Sequence, residues 1–330
     1  MKKLIAILSV LIVCGCVSAH ANLKLEPFGI YYLAPGSSTQ HPRNPNTWNC
    51  WNYPENQHLQ GVVARVDWAV LEPSNGVYNW QYLDTIQGLA QAGGFFWEIL
   101  VQCGDSQYPA WVTAAGAKTV TLHSNSGSPA TICQPGDPIF QSAWRTFIAA
   151  LGARYDSDQN LVIVQMTGVG RAGECFFCSH NSAYLSDWQW LQSQGGAAAW
   201  ENWAETIAGF YAAAFPTTPF LYSTGAPLPA SVDSGNTTMA AVMTNLIATY
   251  GVDRIYARSS GYYLGAQPSN WGCNQGYQQN LPSGTGAAAQ AQQLCDPSYN
   301  AYWFEVYRKD CDLQSNWASF DQFANTSYGY

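Results

Sequence analysis

The chain has 330 residues, which is enough for one large α/β domain. Its 21 acidic residues outnumber its 13 Lys and Arg, and the formal net charge is −8. This balance argues against a nucleic-acid partner, because phosphate backbones are bound by clustered Lys and Arg. Only 10% of the residues are charged, whereas 14% are aromatic. More than half of these aromatic side chains are expected in the core, since Trp and Tyr bury large areas.

The first residues carry the pattern of an export signal. Two lysines precede the apolar run 4–13, and residues 19–21 form a small-x-small cleavage site. We predict a signal peptide over 1–21 and a single domain over 22–330 in a secreted or periplasmic protein. The second choice is lipoprotein processing, with a lipid anchor at Cys16. No later segment approaches the roughly 20 apolar residues of a membrane-spanning helix, so no membrane span is predicted.

Strand-like and helix-like segments alternate along the chain. Short β-prone runs predict strands at Phe28–Leu33, Val62–Trp68, Phe95–Gln102, Leu161–Thr167, Phe220–Thr224, Arg254–Arg258 and Ala301–Tyr307. Apolar residues at helical spacing predict helices at Trp80–Gly93, Ile139–Tyr155, Ala197–Phe215 and Thr238–Tyr250. Strands separated by crossover helices form a parallel sheet, and seven such units predict an α/β fold of the (β/α)8 TIM-barrel type.

The eighth strand of this barrel is the part that the sequence supports least. After the seventh predicted strand, the pattern indicates a loop and a helix near Trp317–Ala324, which leaves only Ser327–Tyr330. We therefore expect an incomplete or atypical eighth strand. None of the predicted helices opens with a Gly-x-Gly-x-x-Gly motif or a phosphate-binding loop. This counts against a nucleotide-binding fold, and no cofactor is predicted.

Cysteine usage favours disulfides. Two of the ten cysteines lie in the predicted signal, and the even number that remains in an exported chain is typical of a bridged protein. The pairs that we predict are Cys103–Cys133, Cys273–Cys295 and the local bridge Cys175–Cys178. The alternative for the last pair is a zinc site shared with His180. No second Cys/His pair with suitable spacing follows, so no metal is predicted.

Two glutamates are the candidate catalytic residues. Glu174 and Glu305 each follow or close a short apolar, β-prone run, which places both carboxyl groups at the mouth of a parallel sheet. Two carboxyl groups on one rim of a barrel are the equipment of a retaining glycosidase. Glu98, inside the third predicted strand, is the runner-up because a carboxyl group inside a barrel needs a partner.

A family resemblance supports this interpretation. The segment Arg65–Asp84 resembles the second strand and second helix of the large clan of retaining barrel glycosidases, which contains β-galactosidases, cellulases and mannanases. Shorter segments similar to clan members follow in the same order, at Pro109–Trp111, Tyr155–Asp158 and Phe215–Pro219. The resemblance implies an acid/base after strand four and a nucleophile on strand seven. These roles fall on Glu174 and Glu305.

One position departs from the clan pattern. Clan members usually place Asn directly before the acid/base, where its amide binds the sugar 2-hydroxyl, but Gly173 stands here in a loop expected to be flexible. Arg171 or Gln165 would then have to make that contact. The alternative function is a non-catalytic carbohydrate-binding barrel derived from such an enzyme.

The remaining site predictions concern charge and substrate contacts. Glu305 must be ionised, and we expect Arg65 to stabilise its charge while Tyr262 donates a hydrogen bond to it. Glu174 must start protonated, about 5–5.5 Å from its partner for retention. The predicted sugar-stacking side chains are Trp111, Trp271 and Trp303. The expected partner is a neutral carbohydrate; no protein partner is evident. His123 and His180 look isolated, which leaves a Ser-His-Asp hydrolase unsupported.

Overall fold

The computed structural model describes residues 23–24, 30–33, 36–47, 51, 59–123, 127–171, 185–223, 237–262 and 302–306. The strands in this part are β1 (Ile30–Leu33), β2 (Leu59–Asp67), β3 (Phe96–Gln102), β4 (Thr119–His123), β5 (Pro129–Cys133), β6 (Leu161–Met166), β7 (Phe220–Ser223), β8 (Ile255–Tyr262) and β9 (Tyr302–Val306). The helices are α1 (Trp68–Leu71), α2 (Gln81–Gly93), α3 (Ala110–Ala114), α4 (Pro138–Tyr155), α5 (Leu185–Ser193), α6 (Ala197–Ala214) and α7 (Thr237–Tyr250).

Seven strands form one parallel sheet in the order β1-β2-β3-β6-β7-β8-β9. Neighbouring strands follow one another along the chain, and α2, α4, α6 and α7 connect β2 through to β8. Cα atoms of β1 and β9 approach within 8 Å of one another. The predicted α/β class is confirmed, because parallel neighbours joined by crossover helices are the unit of this class. The segment expected to supply an eighth strand lies outside the described residues.

The two faces of the sheet carry different side chains. On β2, Val62, Ala64 and Val66 form a first set and alternate with Val63, which belongs to a second set. On β3, Trp97, Ile99 and Val101 belong to the first set and alternate with Leu100, which belongs to the second. The first set packs in the large core that also contains helix side chains. The second set belongs to a smaller apolar cluster built from strand residues alone, namely Tyr31, Val63, Leu100, Val162, Ile163, Leu221 and Tyr256. This second cluster fills the inner face of the sheet.

Local sequence explains where the main helices begin and end. The Asp137 side chain accepts hydrogen bonds from the Ile139 and Phe140 amides at 2.9 and 3.0 Å, and Pro138 occupies the first turn of α4. Gly94 ends α2 at φ 70°, a left-handed conformation that glycine adopts without a side-chain clash. The end that the sequence predicts for this helix, at Gly93, is therefore confirmed.

Four features differ from the expectations. An antiparallel hairpin, β4–β5, and the helix α5 are present where no elements were predicted. Trp68 begins α1 instead of ending a strand. The predicted Cys103–Cys133 disulfide is wrong, since the Cys133 thiol is unbridged. Both cysteines are buried at 3% exposure and pack as small apolar side chains. The other predicted pairs fall outside the described residues.

Candidate active site

Arg65, Glu98 and Gln165 share the inner face of the sheet. Each alternates with neighbours that pack toward the helices, and Gln165 is only 1% exposed. Glu98 pairs in register with Val63, so it lies about 13 Å of strand length below the end of β2. Burial, and then the charge of Glu98, raise the pKa of Tyr31. Glu98 thus belongs to the interior of the barrel and not to its mouth.

The last residue of β2 is a carboxyl group that the sequence analysis did not select. Asp67 lies two residues after Arg65 and in register with Gln102 at the end of β3, with 9% of its surface exposed. Burial raises the pKa of Asp67 from 3.8 to about 6, and the positive charge of Arg65 opposes this shift. Residues two apart on a strand share a face, so strand alternation places Asp67 on the same face as Arg65.

Strand β6 leaves the sheet through a tightly packed turn. Gly168 and Gly170 have φ values of 105° and 91°, and a Cβ at Gly168 would lie 2.6 Å from the Trp144 ring nitrogen. Val169 between them is fully buried. The positive φ values at Gly168 and Gly170 and the close packing at Gly168 require glycine at these two positions.

Arg171 ends this turn in an ion pair. Its Nε donates to Asp105 Oδ1 at 3.0 Å and its Nη2 to Oδ2 at 3.3 Å, and Arg171 is 9% exposed. Asp105 follows β3, so the pair joins the loops at the carboxyl ends of β3 and β6. A two-point guanidinium–carboxylate contact fixes direction as well as distance. The Arg171–Asp105 pair therefore fixes the position of the chain at Arg171, three residues before Glu174.

A second pair holds the chain after Glu174. Asp187, at the start of α5, accepts from the His123 amide at 2.6 Å and contacts His123 Nδ1 at 3.0 Å. His123 ends β4, so this contact ties α5 to the hairpin that follows β3. The expectation that His123 is isolated is wrong, since its partner lies 64 residues away in sequence. Arg171 and Asp187, on either side of segment 172–184, are thus both tied to the connection that follows β3.

Of the two predicted catalytic residues, the structure describes the backbone of one. Glu174 falls outside the described residues. Glu305 is the fourth of the five residues of β9, and the backbone of β9 ends level with Tyr262 at the end of β8. Trp303 also lies in β9. The roles of these four residues stay predictions.

Trp111 has structural contacts that account for its position. Its ring nitrogen donates to the Glu72 carbonyl at 3.1 Å, and its ring packs edge-on to Trp68 with centroids 5.9 Å apart. The Glu72 carboxyl accepts from the Trp68 ring nitrogen at 2.8 Å and from the Gly76 amide at 2.9 Å. Glu72 is therefore a structural carboxyl group that ties α1 to the following turn. A sugar contact by Trp111 stays a prediction.

Comparison with known proteins identifies a family to which part of this chain is similar. Residues 55–206 match the family model Glyco_hydro_42, described as beta-galactosidase, over a range that runs from before β2 into α6. Over this range the chain is similar to the barrel glycoside hydrolases. The matched range contains the Arg65 motif, the turn after β6 and Glu174. No curated protein sequence matches the chain.

Solved structures show the same fold. The catalytic domain of beta-amylase from Paenibacillus polymyxa superposes with a TM-score of 0.53 at 11% identity, over 89% of this chain and 97% of that one. This likeness confirms the predicted TIM-barrel class. A beta-galactosidase from the haloarchaeon Halorubrum lacusprofundi gives 0.49 at 12% identity, over 86% and 54% of the two chains. An intracellular xylanase from Thermoanaerobacterium saccharolyticum gives 0.46 at 14% identity, over 85% of each chain.

The described residues form neither a metal-binding cluster nor a membrane-spanning helix. Among them, no three His, Cys, Asp or Glu side chains are grouped so that they could hold a metal ion. No helix in the same residues is both long and apolar enough to cross a bilayer.

Proposed function

We propose that the chain is a secreted retaining glycoside hydrolase that cleaves O-glycosidic bonds of a neutral poly- or oligosaccharide by double displacement. Glu174 is the acid/base and Glu305 is the nucleophile. The observation that carries this proposal is the family match over residues 55–206, which spans the segment holding Glu174. The position of Glu305 near the carboxyl end of β9 supports it, because catalytic groups of such barrels lie at that edge.

In the first step the Glu174 carboxyl protonates the leaving oxygen while the Glu305 carboxylate attacks the anomeric carbon. The glycosidic bond breaks and a glycosyl ester forms on Glu305. In the second step Glu174, now a carboxylate, takes a proton from water, and the water oxygen displaces Glu305 with net retention. The ion pairs Arg171–Asp105 and His123–Asp187 support this assignment, since they fix both ends of the segment that carries the acid.

Turnover of a substrate panel tests the proposal. We suggest aryl β-galactosides and β-xylosides, an aryl maltoside and plant polysaccharides, assayed with wild type, Glu174→Gln and Glu305→Gln. The expected result is turnover by wild type and a loss of about 10³-fold or more in Glu305→Gln. Added azide should restore activity to a Glu305→Gly variant by attacking the anomeric carbon from the vacated face. Full turnover by Glu305→Gln would remove that residue from the nucleophile role.

The alternative is a non-catalytic carbohydrate-binding barrel. It is favoured by Gly173, which stands where a sugar-binding Asn is usual and cannot make that side-chain contact. Saturable sugar binding by wild type without turnover of any substrate in the panel would support this alternative. Retained turnover in Gly173→Ala, together with loss in Glu174→Gln, would support the enzyme.

Export is a separate part of the proposal. The basic start, the apolar run 4–13 and the small-x-small site at 19–21 support cleavage after Ala21 and a secreted or periplasmic location. N-terminal sequencing of protein recovered outside the cytosol should begin at Asn22. A mature chain that begins with a lipid-modified Cys16 would instead support the lipid-anchored form. The disulfides proposed for Cys175–Cys178 and Cys273–Cys295 are tested on the same material by peptide mapping without reduction.

A further inference from the structure

The Asp67 carboxyl group accepts no hydrogen bond from the described residues. Asp67 is 9% exposed and precedes α1, yet its side chain makes no capping hydrogen bond to that helix. Among the described residues, no other group donates a hydrogen bond to it either. Its amide is occupied, because it donates to the Ser37 carbonyl at 3.0 Å. The usual structural explanation for Asp before a helix, an N-cap contact, therefore does not apply.

Arg65 presents an unpaired donor on the same face. Its Nε is buried and has no acceptor within the described part of the chain. Gly36 makes room for it, since a Cβ at Gly36 would lie 2.8 Å from that nitrogen. Backbone bonds from Ser37 to Arg65 and from Asp67 to Ser37 hold segment 36–38 against the end of β2. The position of the Arg65 side chain is therefore set by the fold.

The two groups do not satisfy each other. Arg65 and Asp67 lie two residues apart on β2 and therefore on the same face, and the Arg65 charge opposes the rise in the pKa of Asp67. The ion pairs formed among the described residues nevertheless involve other arginines, namely Arg154 and Arg171. The buried Arg65 Nε without an acceptor destabilises the folded chain, and so does the largely buried Asp67 carboxylate, whose pKa burial raises. A ligand hydroxyl relieves both at once, because it donates one hydrogen bond and accepts others.

We infer that Asp67 and Arg65 form a sugar-hydroxyl site at the carboxyl end of β2, in which Asp67 accepts from a ring hydroxyl and Arg65 donates to the same or the adjacent one. This inference rests on the proposed carbohydrate function of the barrel. It identifies the ligand as a neutral pyranose with a free hydroxyl at one defined ring position. Gln107 lies beside the site, since its carbonyl accepts from the Ala69 amide and its buried Oε1 has no described partner.

Equilibrium binding tests the inference without requiring turnover. We suggest ligand-observed NMR titrations of wild type, Asp67→Asn and Asp67→Ala with methyl β-D-galactopyranoside, methyl β-D-xylopyranoside and maltose. The matched control is Asp253→Asn, an exposed carboxyl group just before β8, at the opposite edge of the sheet. The affinity of the best probe should fall in the order wild type, Asn variant, Ala variant. The expected total loss is about tenfold to a hundredfold, as for a hydrogen bond to a charged group.

Deoxy analogues of the best probe identify the hydroxyl. Removing one ring hydroxyl should weaken binding to wild type but leave binding to Asp67→Ala unchanged, whereas removing any other should affect both proteins equally. A purely structural Asp67 would not couple to one hydroxyl. The inference is overturned if wild type binds none of the three probes, if Asp67→Ala binds as tightly, or if no deoxy position couples. Coupled binding without any turnover would keep the site and refute the glycosidase.

Discussion

Replacing Asp67 by Asn should stabilise the protein at neutral pH. Burial raises the pKa of Asp67 from 3.8 to about 6, so the ionised carboxylate is disfavoured in the folded state. A shift of this size corresponds to about 3 kcal/mol at 1.36 kcal/mol per pKa unit. Residual contact with water at the mouth reduces this figure, and we expect about 1–2 kcal/mol for Asp67→Asn near pH 7.

The sign of the pH dependence follows from the same shift. Between about pH 4 and pH 6 the folded chain binds more protons at Asp67 than the unfolded chain does, so this residue makes wild type less stable as the pH rises. The advantage of Asp67→Asn should be present above about pH 6 and should vanish by about pH 4. Urea unfolding at several pH values measures this difference in the free energy of unfolding between Asp67→Asn and wild type, with Asp253→Asn as the control. A variant less stable than wild type at neutral pH would show that Asp67 has partners in the folded protein.

Three further substitutions or probes test the anchored turn and the core. Arg171→Lys loses the two-point contact and should lower kcat about tenfold by displacing the following segment, whereas Arg154→Lys, in a similar ion pair away from the mouth, should not change kcat. Gly168→Ala should destabilise the fold by about 1–3 kcal/mol in urea unfolding, because its Cβ would meet the Trp144 ring. Burial, with the negative charge of Asp137 adding to it, raises the pKa of Cys133 to about 12. Peptide mapping should therefore find this thiol unmodified by iodoacetamide in the native protein and modified after unfolding.

The regular elements of the fold were predictable because their signals are local. Gly94 ends α2 and Asp137 with Pro138 begins α4, and each of these residues acts on its own helix. The hairpin β4–β5 was missed, since its five-residue strands are short and one begins with proline. Short irregular segments carry little periodicity, so their structure depends on what they pack against.

The site was predictable only in part, for a related reason. The strands were placed from sequence, and with them the position of Glu305 in β9 and of Arg65 near the end of β2. The contact between His123 and Asp187 joins two loops 64 residues apart, and no local pattern reports such a contact. Asp67 was overlooked because the predicted strand ran on to Trp68, whereas in the structure Asp67 ends the strand and Trp68 begins α1.

Trapping the glycosyl-enzyme intermediate tests the central claim most directly. A 2-deoxy-2-fluoro glycoside with a good leaving group, matched to the best aryl substrate, should react once and form a stable ester, because fluorine disfavours the cation-like transition state of its hydrolysis. Mass spectrometry of the digested protein should find the sugar on the peptide that contains Glu305. An adduct on Glu98, Asp67 or another carboxyl group, or turnover with inversion and no adduct, would contradict the proposed double displacement.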